Sequence, residues 1–171
     1  MTSEMRWVES TRVEFSKLRA SAERALGQVG DATFFAEPGP ESNSLAIIVK
    51  HVGGNLRSRW TDVLTTDGEK PDRDRDAEFE IRDGDTRTSL MAGWERGFYL
   101  VDASLAVLRP EDLERSVAIR GETLPVHAAV LRSLAHTAAH VGQIVWLSKW
   151  SLGERWQTLT TPRGQSSQWR P

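Results

Sequence analysis

Apolar residues recur at three- and four-residue steps through four separate stretches of this 171-residue chain, and that period leaves few folds open. A stripe of this kind runs along one face of an α-helix and must be buried against another element. The first predicted helix covers about residues 4–26, with Val8, Phe15, Leu18, Ala22 and Leu26 on one side. Gly27 and Gly30 close it, and a loop carries the chain through Pro38-Gly39-Pro40. The second covers about 45–64, behind a cap at Ser42, Asn43 or Ser44, with the stripe Leu45, Ile48, Val49, Val52, Leu56, Trp60 and Val63. The third, about 87–108, repeats Met91, Trp94, Phe98, Val101, Leu105 and Leu108 and stops at Arg109-Pro110. The fourth starts near Pro125 and runs to about Trp150, with Val126, Val130, Leu134, Val141, Ile144 and Val145 on its stripe and Gly153 after it. Four stripes of this kind satisfy one another in an all-α, four-helix bundle.

Two segments interrupt the helical period. Residues 67–85 read DGEKPDRDRDAEFEIRDGD, which predicts a long, charged, solvated crossover between the second and third helices. Phe79 and Ile81 are the residues able to pin its middle to the bundle. Residues 116–124, SVAIRGETL, predict a small hairpin before the fourth helix, with Arg120-Gly121 at its tip. A tail over 154–171, rich in Thr, Ser, Gln, Arg and Pro and containing Trp156 and Trp169, is expected to pack on the bundle or extend from it, within a single domain spanning 1–171. Trp146 and Trp150 share the outer side of the fourth helix, which suggests burial by this tail or by a second subunit.

Composition narrows the chemistry. The chain has no cysteine, which removes disulfides, thiolate metal sites and cysteine nucleophiles together. A formal net charge of −2 gives no overall pull toward nucleic acid or an anionic membrane. No basic region precedes an apolar run at the N-terminus and no stretch is long and apolar enough to span a bilayer, so the cytoplasm is the expected location. No GxSxG elbow, phosphate-cradling glycine loop or EF-hand spacing occurs.

Only four histidines are present, and two of them stand in the segment HTAAH as His136 and His140. On a helix they lie about 40° apart on one face, with Cβ atoms roughly 5–6 Å apart, so both rings can reach one metal ion. Thr137 stands where the HExxH motif has its glutamate, so protease chemistry of that type is excluded. His51 lies at the edge of the second stripe. If the second and fourth helices are neighbours, three imidazoles converge and leave coordination positions open, as catalytic sites do. Imidazole suits both Zn²⁺ and Ni²⁺. From spacing alone, buried or surface histidines without a metal are the favoured reading. Asn55, one turn after His51, and Gln143 and Ser133, flanking the pair, are candidate pocket or ligand-orienting groups. His127 stands apart from the others. Arg57 and Arg59 are expected to pair with Asp72, Asp74 or Asp76.

Together, HVGGNLRSRW (51–60), DGEKPDRDRDAEFE (67–80), LAHTAAHVGQIVWLSKW (134–150) and WQTLTTPRGQS (156–166) resemble the DinB-like superfamily, and within it an uncharacterised subfamily similar to DUF1572. That resemblance implies a four-helix bundle with a long crossover between the second and third helices. It implies a divalent metal on His51, His136 and His140, and often a homodimer. Relatives in the superfamily include thiol-dependent S-transferases, so the resemblance implies a metal-dependent enzyme. Such an enzyme would use a low-molecular-weight thiol, or water in a hydrolase, against a small electrophilic molecule. The alternative is a non-catalytic, dimeric bundle that binds metal or ligand. Neither reading involves nucleic acid or a membrane.

Overall fold

A computed structural model describes residues 2–168 of the chain; Trp169 of the tail lies outside them. The fold is mostly helical: α1 (Ser3–Leu26), the short α2 (Asp31–Phe35), α3 (Leu45–Trp60), α4 (Arg87–Val107) and α5 (Val126–Leu152), with one antiparallel hairpin of β1 (Ser116–Ile119) and β2 (Glu122–Pro125). Among the described residues no helix is long and apolar enough to cross a membrane.

Caps set where the helices begin. The Thr2 hydroxyl accepts from the Met5 amide, the Ser44 hydroxyl from the Ile47 amide, and Thr86 and Ser89 form a reciprocal capping box ahead of α4. Each satisfies amides that a helix start leaves unpaired. α1 packs on α4 and α5, and α3 packs on the same two, so the long helices enclose one core. Trp94, Leu56, Leu105, Ile144 and Val130 are almost wholly buried in it. The tightest approach is between α3 and α4. A Cβ at Gly53 would stand 3.0 Å from the Gly93 backbone, and one at Gly97 3.1 Å from the Gly53 carbonyl, so the two helices meet nearly backbone to backbone.

The second predicted helix extends too far: α3 stops at Trp60 rather than near Leu64. The Thr61 hydroxyl bonds back to the Arg57 carbonyl at 2.7 Å, and Asp62 then takes φ +48°, which turns the chain off the helix axis and leaves Val63 in the turn. The loop expected after the first helix contains α2, whose Phe34 is fully buried and packs edge-on against Phe35. Five residues are too few to show a helical period.

The charged segment over 67–85 is not simply solvated. Asp67 accepts from the turn amides of Arg120 (2.8 Å) and Gly121 (2.9 Å), and Gly68 donates to Ala118 at 2.8 Å. The hairpin turn places Arg120 at φ +56° and Gly121 at φ +75°, and the Asp67 carboxylate holds both amides of that strained pair. Ser58 of α3 donates to Gly68 and accepts from the Lys70 amide. The segment is thereby tied to α3 on one side and to the hairpin on the other. A 3₁₀ turn at Asp76–Phe79 lies against α3. Phe79 does pin the middle, against the His51 ring, whereas Ile81 is exposed.

The described part of the tail, residues 154–168, packs beside α1. Arg24 donates to the Leu159 carbonyl, Gln28 exchanges two bonds with Gln157, and Trp156 and Leu159 rest on the core. Its described part leaves Trp146 and Trp150 exposed, stacked at 6.2 Å.

Candidate metal centre

His136 and His140 follow one another by one turn on α5, and His51 projects from α3, which packs on α5. The three rings close into a triangle with centroid separations of 5.2, 4.9 and 4.5 Å. One ligand atom from each lies within 4.8 Å of the others. His51 Nε2 and His136 Nε2 are 3.2 Å apart. Two nitrogens each about 2.0–2.1 Å from one tetrahedral ion would stand roughly 3.3 Å apart, so this pair has the spacing of two ligands.

The outer ring nitrogens decide which inner nitrogens are available. His51 Nδ1 donates to Glu78 Oε2 at 2.9 Å, and His140 Nδ1 donates to Gln143 Oε1 at 2.8 Å. With the proton on Nδ1, the lone pair of each ring sits on Nε2. His136 Nδ1 is buried without a partner, so this ring alone lacks such an anchor. Burial, reinforced by His140 and His51 beside it, pushes His136 down to about 4, and burial also lowers His140 against the opposing bond to Gln143. Both are neutral at pH 7, the form that binds a metal.

Glu78 and its partner Arg73 were hidden in the charged run. Burial alone would raise the Glu78 carboxyl, but Arg73 and His51 outweigh it and hold it below its ordinary value. Arg73 grips that carboxylate with two 2.8 Å bonds, and its side chain is 2% exposed. A buried ion pair is stable only where its geometry and hydrogen bonds are as complete as these. Gly54, one turn of backbone away from His51, makes room for it: a Cβ there would fall inside the Glu78 carboxyl group. The sequence did carry two signals, a Gly-Gly pair following His51-Val52 and a lone aromatic, Phe79, beside an acid in an otherwise charged run.

A cavity of about 190 Å³ opens beside His51 and His136. Asn55 and Ser133 line it, as does Trp60. Ser133 is committed elsewhere, accepting from Trp60 Nε1 at 3.0 Å, so it shapes the wall rather than orienting a ligand. Asn55 makes no hydrogen bond to the three rings among the described residues, so of the polar candidates only Gln143 orients a histidine. His127 faces the Leu113 carbonyl and Glu114, away from the cluster. Arg57 pairs with Asp72 as anticipated, but Arg59 pairs with Glu69.

The donor set therefore fits a divalent metal: three ring nitrogens, two of them oriented, next to open space. A family model described as "Protein of unknown function (DUF1572)" matches residues 2–165. No curated protein matches the chain significantly.

Proposed function

The chain belongs to the DUF1572 family, and from that premise we propose that it is a metal-dependent enzyme of the DinB-like superfamily, with its four long helices as the bundle and His51, His136 and His140 as the ligands. The observation that carries this reading is the convergence of three imidazoles from two helices at the edge of a cavity. A closed structural site has four protein ligands and no neighbouring space, whereas three ligands beside a cavity leave room for a reactant.

Zn²⁺ or Ni²⁺ is the ion that three imidazoles suit. When bound, it would supply Lewis acidity, lowering the pKa of a thiol or water beside it. The chain contributes no nucleophilic cysteine, so the attacking group comes from a low-molecular-weight thiol or from water. Its own residues position: Glu78 and Gln143 hold two ring tautomers, and Phe79 covers one face of His51. A small electrophilic molecule bound in the cavity would lie next to His51 and His136, which line it. A homodimer in the cytoplasm completes the proposal, with the exposed Trp146–Trp150 stack as the surface a second copy would cover.

The test is turnover of electrophilic acceptors with bacillithiol, mycothiol or glutathione, or with water alone, by protein loaded with Zn²⁺ or Ni²⁺. The proposal expects turnover that His136→Ala abolishes. Metal-independent turnover, or none across a broad acceptor panel, would overturn the catalytic reading.

A further inference from the structure

The charged side chains that line the cavity, apart from its histidines, are all arginines: Arg59, Arg73, Arg75, Arg120 and Arg132. No carboxylate belongs to that lining. The acids that pair with these arginines stand behind them, and they are fewer. Glu69 serves three guanidinium groups at once, those of Arg59, Arg73 and Arg120. Glu78 holds Arg73 and Glu122 holds Arg132. Arg75 has no carboxylate partner among the described residues and lies over the Phe79 ring at 5.3 Å. Five guanidinium groups thus face three carboxylates, and the excess positive charge is directed at the cavity. Between the arginines the wall is mostly apolar, with Trp60, Val63, Val117, Ile119 and Val130 beside the polar Asn55 and Ser133.

A cavity with cationic charge at its rim and hydrocarbon between selects for a particular ligand. A neutral or cationic molecule leaves the excess guanidinium charge at the rim without an anionic partner. An oxyanion accepts from planar guanidinium donors in the geometry they favour. We propose that the cavity takes a small amphiphile, an apolar body carrying a carboxylate or phosphate, with the anionic group on Arg75 and Arg120 and the body against Trp60 and Val63. The proposal deepens the metal-enzyme reading and rests on it for the reacting end of the molecule, which lies at the histidines. Arg73 is not part of the anion site, because its guanidinium N–H donors are already committed to Glu78 and Glu69.

Binding to the full chain is measured by calorimetry at low salt, with hexanoate, hexyl phosphate, hexanol and hexylamine as probes. At least one of the two anions binds about tenfold or more tightly than hexanol, as a charge-assisted hydrogen bond implies, and hexylamine gives no heat. Comparing hexanoate with hexyl phosphate tells which anionic head fits. Arg75→Glu and Arg120→Glu each alter an exposed side chain, so folding is retained, and together they lower anion affinity about tenfold or more while leaving hexanol unchanged. Equal binding of anion and alcohol, no heat with any probe, or arginine variants that bind as the wild type does would overturn the proposal. His136→Ala separates it from the metal reading. Anion binding that vanishes in His136→Ala but survives both arginine variants puts the anion on the ion, which sinks the arginine site and leaves the metal standing. Arginine-dependent anion binding by a protein that takes up no metal sustains the arginine site and removes the metal.

Discussion

Glu78→Gln keeps the shape of a buried side chain and removes the charge that Arg73 neutralises. The His51 ring then loses its carboxylate acceptor, and the guanidinium is left facing an amide. Loss of such an outer carboxylate typically weakens metal binding about 10–100-fold, and competition with a chelating dye measures it. An unchanged affinity would mean that Glu78 serves only the ion pair with Arg73. The same histidines fix a pH dependence. His136 titrates at about 4 in the folded chain because burial disfavours its charge, against an ordinary value of 6.5. Between those two values the unfolded chain takes up a proton that the folded chain refuses, so this contribution is whole above about pH 6.5 and is lost as the pH falls toward 4. Thermal melts of metal-free protein should show roughly 2–3 kcal/mol of lost stability across that window, with His136→Ala flattening the curve. Glu78, held below its ordinary value, adds a further loss at still lower pH.

Two glycines one turn apart on α4 test how closely the helices meet. At Gly97 a Cβ would stand 3.0 Å from Leu56 Cβ and 3.1 Å from the Gly53 carbonyl, whereas at Gly93 it would meet nothing within 4 Å. Gly97→Ala therefore costs about 1–3 kcal/mol in forced separation, against roughly 1 kcal/mol gained in helix propensity, and lowers the melting temperature. Gly93→Ala gains the propensity without the clash and raises it. Equal shifts for both would contradict the backbone-to-backbone contact. The long helices were legible from their periods, and in α3 period and cap agree: the stripe from Leu45 to Trp60 and the cap at Ser44 mark the same element. The hairpin was legible from Arg120-Gly121 between two short β-forming runs. The two imidazoles of α5 were legible from their four-residue step. What period cannot show is where an irregular segment returns. Nothing local distinguishes Arg73 from Asp74 or Arg82, which are exposed in the same run, and only the neighbouring Phe79 marks Glu78; their burial follows from Gly54, the hairpin and Ser58, all distant in sequence. Nor could spacing foresee that Ser133 would be taken by Trp60.

At the scale of the molecule, one polar chain runs from the histidine cluster to the hairpin: His51 to Glu78, Glu78 to Arg73, Arg73 to Glu69, Glu69 to Arg59 and Arg120. The helices supply the three imidazoles, and the charged crossover supplies the carboxylate and two of the five arginines that line the cavity, Arg73 and Arg75. The segment that interrupts the helical pattern is thus the one that turns a helical scaffold into a site. All of this depends on the three imidazoles sharing an ion. Untagged protein, purified without a nickel column and analysed for metals by mass spectrometry, should carry close to one zinc or nickel per chain, and His51→Ala and His136→Ala should each lose it while retaining their helical circular dichroism. Wild-type protein that takes up no divalent metal even on titration, or variants that bind it as well as the wild type does, would contradict the assignment.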